Sequence, residues 1–195
     1  RFSIEGTDAM VPMLDAAIDA ASSAGAQEVV IGMAHRGRIN VLAHILDKPY
    51  ARIFNEFDGK RTDNASSETG DVKYHLGAMT EKHFADGRRV GVMLVPNPSH
   101  LEVVNPVLMG VARSRLGALG GGEEKVVSIA IHGDAAFPGE GIVAETLNMS
   151  RLNGFRIGGT LHIIANNQVG FTSNPSDSRS TYYASDLAKG FEIPI

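Results

Sequence analysis

Residues 126–170, VVSIAIHGDAAFPGEGIVAETLNMSRLNGFRIGGTLHIIANNQVG, decide the fold. The apolar run at 126–131 reads as a buried strand, 139–152 as a helix, and 160–165 as a second strand. A strand–helix–strand of this length is a βαβ unit, with parallel strands and a right-handed crossover. Polar residues gather where each strand ends: Gly133-Asp134-Ala135-Ala136 after the first and Asn166-Asn167-Gln168-Val169-Gly170 after the second.

The alternation continues on the N-terminal side. Thr7 can cap a helix whose Met10, Met13, Leu14, Ala17, Ile18 and Ala21 recur at helical spacing, with Gly25 as its stop. Val29, Val30 and Ile31 form a β-branched core for a strand over 28–33. A loop at His35-Arg36-Gly37-Arg38 precedes a helical pattern over 39–46, and Pro49 can open another helix carrying Ile53, Phe54 and Phe57. Residues 58–72 are polar and aperiodic, as expected of an exposed loop. A strand at 89–95 is closed by Pro96-Asn97-Pro98, and 101–119 is mostly helical with Pro106 in its first turns. Together these elements predict an α/β fold, an open and mainly parallel sheet flanked by helices, in one domain over 1–195. Ligands of such sheets bind beyond the carboxyl ends of the strands.

Composition narrows the chemistry. Among 195 residues there is no Cys, which excludes a disulfide scaffold and any thiolate-held zinc or iron–sulfur centre. The net charge of -4, with both signs interspersed, argues against nucleic acid as a partner. No apolar run reaches the ~20 residues that a membrane span needs. The chain starts at Arg1 rather than Met and ends at Ile195 just after a proline, as a piece of a longer protein would.

One crossover brings the Asp134 carboxylate and the Asn167 amide to the same sheet edge. A carboxylate, an amide oxygen and one backbone carbonyl beyond the Asn suit Mg2+, which takes six hard oxygens and shares its shell with phosphates and water. Gly133 permits close backbone approach, and the helix that follows can aim N–H groups at an anion. Taken one at a time, Asp134 reads more readily as a helix cap and Asn166-Asn167 as a turn; only together do they balance those readings with a metal site.

Gly133-Asp134 followed after a crossover by Asn166-Asn167 resembles the thiamine diphosphate motif. Five segments resemble the 2-oxoglutarate dehydrogenase family more narrowly: Gly32 to Arg38 (GMAHRGR), Gly70 to Gly77 (GDVKYHLG), Asn97 to Glu102 (NPSHLE), His132 to Phe137 (HGDAAF) and Asn166 to Thr172 (NNQVGFT). The resemblance implies a diphosphate-binding domain. In it Asp134, Asn167 and the Val169 carbonyl hold Mg2+, while Arg36, Ser99, Leu101, Ala135 and Ala136 meet thiamine diphosphate. His35 and His75 would be the catalytic histidines, with His75 and Ser99 also touching substrate.

The implied reaction is decarboxylation of 2-oxoglutarate, with the cofactor as electron sink. The succinyl group would then pass to the lipoyl group of a partner succinyltransferase, in the tricarboxylic acid cycle. The resemblance also implies a homodimer in the bacterial cytoplasm or the mitochondrial matrix. The glutamate that activates the cofactor belongs to a later pyrimidine-binding domain, so this segment alone is expected not to turn over.

Two departures from the family pattern stand out. Glu140 replaces an expected Gln and is expected to point away from the diphosphate, and Met79-Thr80 replace small polar residues. A 2-oxoadipate dehydrogenase or related carboligase is the enzymatic alternative; a non-catalytic phosphate-binding or assembly domain is the other. Outside the motifs, Met10 and Met13 are expected in the core and His162 as a satisfied interior histidine; His132, which opens the HGDAAF motif, is open to a role behind the site or to none.

Overall fold

The computed structural model describes residues 6–58 and 75–195; most of the 58–72 loop and the Gly70 to Tyr74 part of one motif lie outside them. The helices are α1 (Met10–Ser23), α2 (Arg38–His44), α3 (Tyr50–Phe57), α4 (Val104–Ala118), α5 (Ala136–Gly139), α6 (Gly141–Asn148) and α7 (Asp186–Lys189). The strands are β1 (Glu28–Met33), β2 (Ala78–His83), β3 (Arg89–Leu94), β4 (Val126–Gly133) and β5 (Thr160–Ala165).

These strands form one sheet in the order β2-β3-β1-β4-β5. β1 runs parallel to β3 and to β4, β4 runs parallel to β5, and only β2 is antiparallel, on β3. The expected open, mainly parallel sheet is therefore present, and β4 and β5 are direct neighbours. Their register pairs Gly133 with Ala165, so the two polar clusters leave the sheet at one level.

Both faces of the sheet are covered, which is why β1 reads as an uninterrupted apolar run. On one face Leu14 and Ile18 of α1 and Val41 and Leu42 of α2 pack with Val29, Ile31 and Met33. On the other, Val104, Leu108, Ala112 and Leu116 of α4 pack with Val30 and Ala130. Each of the Val, Leu, Ile and Met side chains among them contributes about 1.5–3 kcal/mol when fully buried. Phe137, Val143, Leu147 and Ala188 make a third cluster under α5 to α7.

Several expectations are corrected. Ala9, not Thr7, holds the N-cap of α1, and the Thr7 contribution there is its backbone carbonyl, which accepts from Met10 N at 2.9 Å. Met10 is buried but Met13 is half exposed, because it falls off the stripe defined by Met10, Leu14 and Ile18. The helix expected over 139–152 is shorter, α6 at Gly141–Asn148, and is separated by the extended Glu140 from the single-turn α5 at Ala136–Gly139. The edge strand β2 went unanticipated: half of its sequence AMTEKH is charged or imidazole, and such side chains guard a sheet edge against further pairing.

Candidate active site at the carboxyl ends of the strands

β1 is followed by a connection to β3 on one side, whereas β4 and β5 lie on the other. The chain thus diverges at the carboxyl ends of β1 and β4, where a crevice opens. A cavity of about 470 Å3 occupies it. Eight of the ten expected site residues line this cavity: His35, Arg36, Ser99, Leu101, Ala135, Ala136, Asn167 and Val169. The remaining two, His75 and Asp134, are buried next to it in the chain or through contacts.

Gly37 lets the His35-Arg36 loop turn into α2. Its φ is +76°, and a Cβ there would come within 2.9 Å of Met10 Cε. Arg38 then enters the interior with no exposed surface. Its guanidinium donates to the carbonyls of Met33 at 3.2 Å, Leu76 at 2.9 Å and Val95 at 2.6 Å. The ends of β1 and β3 and the His75 segment are clamped together by this one side chain. Burial pulls its pKa down to about 10, so it stays charged at neutral pH.

The histidines meet. His35 Nε2 lies 2.8 Å from His75 Nε2, and Ser99 Oγ lies 3.1 Å from the same His75 nitrogen. An N···N hydrogen bond requires one nitrogen to donate and the other to accept, so the pair shares a single Nε2 proton. Such a pair can give a proton to an oxygen in the crevice or take one back.

On the facing side, Asp134 is buried, with Oδ2 at 3.4 Å from Arg179 Nη1 and Oδ1 without a hydrogen-bond partner among the described residues. Asn167 Oδ1 accepts from Val169 N at 3.1 Å, which leaves this amide oxygen a second lone pair. The loop carrying these groups is strained: Gln168 and Phe171 have φ of 58° and 54°. It presses on the other loop, since a Cβ at Gly170 would come within 3.0 Å of Ala135 Cβ. By contrast, a Cβ at Gly133 would make only ordinary contact, at 3.8 Å from Ala136 Cβ, so protein packing alone does not demand that glycine.

Among the described residues no three His, Cys, Asp or Glu side chains cluster as metal ligands. A cation here would rest on one carboxylate plus amide and backbone oxygens. The unpartnered, buried Asp134 Oδ1 fits that demand, and the donor set is one that a hard divalent ion accepts. Glu140, expected to point away, is exposed and borders the cavity. α5 is a single turn, so Ala135 and Ala136 offer the cavity local backbone rather than a long helix dipole.

Arg38, Glu102 and Arg179 were not singled out from sequence. Arg179 sits 45 residues beyond Asp134, outside every motif, and no local pattern signals its approach. His132 is buried, yet it is among the residues that line the cavity rather than behind it. It contacts Glu102 at 2.6 Å and His162 at 2.9 Å. His162 is accordingly satisfied, and burial followed by the neighbouring His132 pushes its pKa down to about 4.

The chain matches the dehydrogenase E1 component family over residues 1–195. It is 54% identical to the 2-oxoglutarate dehydrogenase E1 component of Bacillus subtilis, covering 100% of this chain and 22% of that protein. Identity is 51% to the 2-oxoglutarate dehydrogenase E1/E2 component of Corynebacterium glutamicum and 53% to the multifunctional 2-oxoglutarate metabolism enzyme of Mycolicibacterium vanbaalenii. This chain is covered completely in both comparisons and each relative to 16%. The chain therefore spans about a fifth of the length of these relatives. With the family model matched from end to end and the expected residues gathered at one sheet edge, this chain belongs to the dehydrogenase E1 component family.

Proposed function

We propose that the chain is the diphosphate-binding part of a thiamine-dependent 2-oxoglutarate dehydrogenase. The observation that carries this reading is the convergence of eight motif residues from four loops on one cavity, beside a buried carboxylate oxygen that lacks a partner among the described residues. Thiamine diphosphate, when bound, supplies the electron sink for decarboxylation of a 2-oxo acid.

The residues of this chain do the rest. Arg36 presents a guanidinium fork suited to a diphosphate oxygen, and Ala135 and Ala136 bring their backbones beside it. Asp134, Asn167 and the Val169 carbonyl hold Mg2+. Leu101 and Ser99 form the opposing wall. The His35–His75 pair orients the oxo acid and holds the proton its carbonyl oxygen needs, with Ser99 fixing the His75 ring.

The substrate we assign is 2-oxoglutarate, and the acceptor is the lipoyl group of a succinyltransferase, a step of the tricarboxylic acid cycle. The names of the relatives, 2-oxoglutarate dehydrogenase components, support that substrate. Met79 is exposed on the edge strand and, like Thr80, is not among the cavity-lining residues, so this departure leaves the 2-oxoglutarate assignment intact. The activating glutamate is assigned to a pyrimidine-binding domain outside this chain, in a homodimer, and the segment alone is expected to be inactive. No helix among the described residues is long and apolar enough to cross a membrane. The relatives are bacterial, which favours a bacterial cytoplasm over a mitochondrial matrix as its setting.

The test uses the full-length protein. Mg2+-dependent binding of thiamine diphosphate, lost in Asp134→Ala, together with turnover of 2-oxoglutarate in preference to 2-oxoadipate, supports the reading. Preference for 2-oxoadipate moves it to the adipate enzyme. Binding without turnover of any oxo acid moves it to a non-catalytic domain.

A further inference from the structure

Beside the cavity, with His132 among its lining residues, lies a buried polar chain that the catalytic reading does not use. The side chains of Glu102 and His132 are each only 1% exposed. Glu102 Oε2 accepts from His132 Nδ1 at 2.6 Å and from Asn105 Nδ2 at 2.8 Å. On its far side, His132 Nε2 is 2.9 Å from His162 Nδ1, and the ring edge meets Phe137 at a centroid distance of 4.8 Å. The His132 ring is thus held from three directions.

Glu102 also carries a backbone anomaly, with φ at 65° in a residue that has a Cβ. Backbone strain of this kind persists only where surrounding contacts over-determine it, and it gathers at functional sites. A buried ionic or polar pair is also a poor way to gain stability, since apolar residues of equal volume often serve as well. What such a pair does supply is register.

The register it supplies is specific. Leu101 immediately precedes Glu102, and Ser99 lies three residues before it; Asp134 follows His132 by two residues, with Ala135 and Ala136 next. One hydrogen bond therefore joins the loop bearing one wall of the cavity to the strand end bearing the other.

We propose that Glu102 and His132 are positioning residues of the cofactor site: their buried hydrogen bond sets the spacing between the Ser99–Leu101 wall and the Asp134–Ala136 wall. This rests on the thiamine diphosphate reading. Geometry, rather than charge, is what the pair provides.

The test measures thiamine diphosphate affinity at saturating Mg2+ in the full-length protein, with the melting of the cofactor-free form followed separately. Glu102→Gln keeps an acceptor in place and is expected to bind within about threefold of the unsubstituted protein. Glu102→Asp keeps the charge but withdraws the carboxylate by one methylene; its dissociation constant is expected to rise about tenfold, as for loss of a hydrogen bond to a charged group. A merely structural residue would lower the melting temperature of both variants and leave binding by the folded protein unchanged.

Glu102→Asp binding like the unsubstituted protein, or Glu102→Gln losing as much as Glu102→Asp, overturns the proposal while the cofactor reading stands. Unsubstituted protein that binds no thiamine diphosphate overturns both. If Glu102→Asp does not fold, His132→Asn, whose Nδ2 can replace the Nδ1 donor, is compared with His132→Gln, which cannot present a donor there. Weaker binding by the Gln variant supports the proposal, and equal affinities overturn it.

Discussion

His35 Nε2 and His75 Nε2 lie 2.8 Å apart across 40 residues of chain, with the rings inclined at 67°. Two imidazoles joined this way cannot both carry the Nε2 proton, so their hydrogen bonding to a substrate oxygen is coupled. Ser99 Oγ, at 3.1 Å, completes a three-membered polar group at the cavity wall. On the proposed function, His75→Asn in the full-length protein is expected to lower kcat by about 10²–10⁴-fold, the range for a lost acid–base group. Thiamine diphosphate affinity should change little, because the diphosphate is assigned to Arg36 and to the Asp134 side of the cavity. Steady-state kinetics and a direct binding titration check the two halves separately.

Arg36 and Arg38 stand two residues apart in sequence and have opposite duties. Arg36 lines the cavity, whereas Arg38 is wholly buried among three carbonyls. Arg36→Lys is expected to weaken cofactor binding about tenfold with little loss of stability, since a point charge cannot reproduce the fork. Arg38→Met leaves three carbonyls without their donor. A loss of roughly 3–5 kcal/mol is expected, the cost of removing one partner from a buried charged arrangement. Thermal melting and cofactor titration of the two variants should show this reversal; equal effects on both would contradict it.

The pKa of His162 is pushed down to about 4 by burial and the adjacent His132, against a raising influence from Glu102. Between the usual histidine value near 6.5 and about 4, the unfolded chain binds a proton on this ring and the folded chain does not. Stability therefore falls as pH drops through that window, by up to about 1.4 kcal/mol per pH unit from this group. His162→Gln should flatten the decline in melting temperature between pH 6.5 and 4.5. A decline as steep as in the unsubstituted protein would show that other groups set it.

Glu140 stands at the cavity border with a negative charge. A diphosphate binding nearby is repelled by it, so Glu140→Gln is expected to tighten thiamine diphosphate binding severalfold at low salt. The gain should shrink as ionic strength rises and the Debye length shortens to about 8 Å near 0.15 M. Binding titrations at two salt concentrations check both points.

Much of the fold was legible because burial on both faces of a parallel sheet leaves continuous apolar strands. β1 and β5 lie where the apolar runs place them, and β4 extends two residues past its expected end to Gly133. β2 escaped notice because an edge strand needs no such run, and half of AMTEKH is charged or imidazole. The break at Glu140 is not legible because residues 139–152 are helix-compatible overall, and only the structure shows Glu140 extended between α5 and α6. Met13 was misplaced because a spacing pattern lists residues near a stripe without showing which one the neighbouring helix covers.

The linear order of motifs determined the family, the α/β class and the composition of the cavity, because each motif is carried by a local strand end whose type follows from its own residues. Tertiary structure alone decided the pairings: His35 with His75, Glu102 with His132, Asp134 with Arg179, and Arg38 with three separate carbonyls. Those partners lie five to 57 residues apart, and all but one pairing bridges at least 30. Contacts over such separations arise only when the sheet order sets strand ends side by side, which local propensity does not encode.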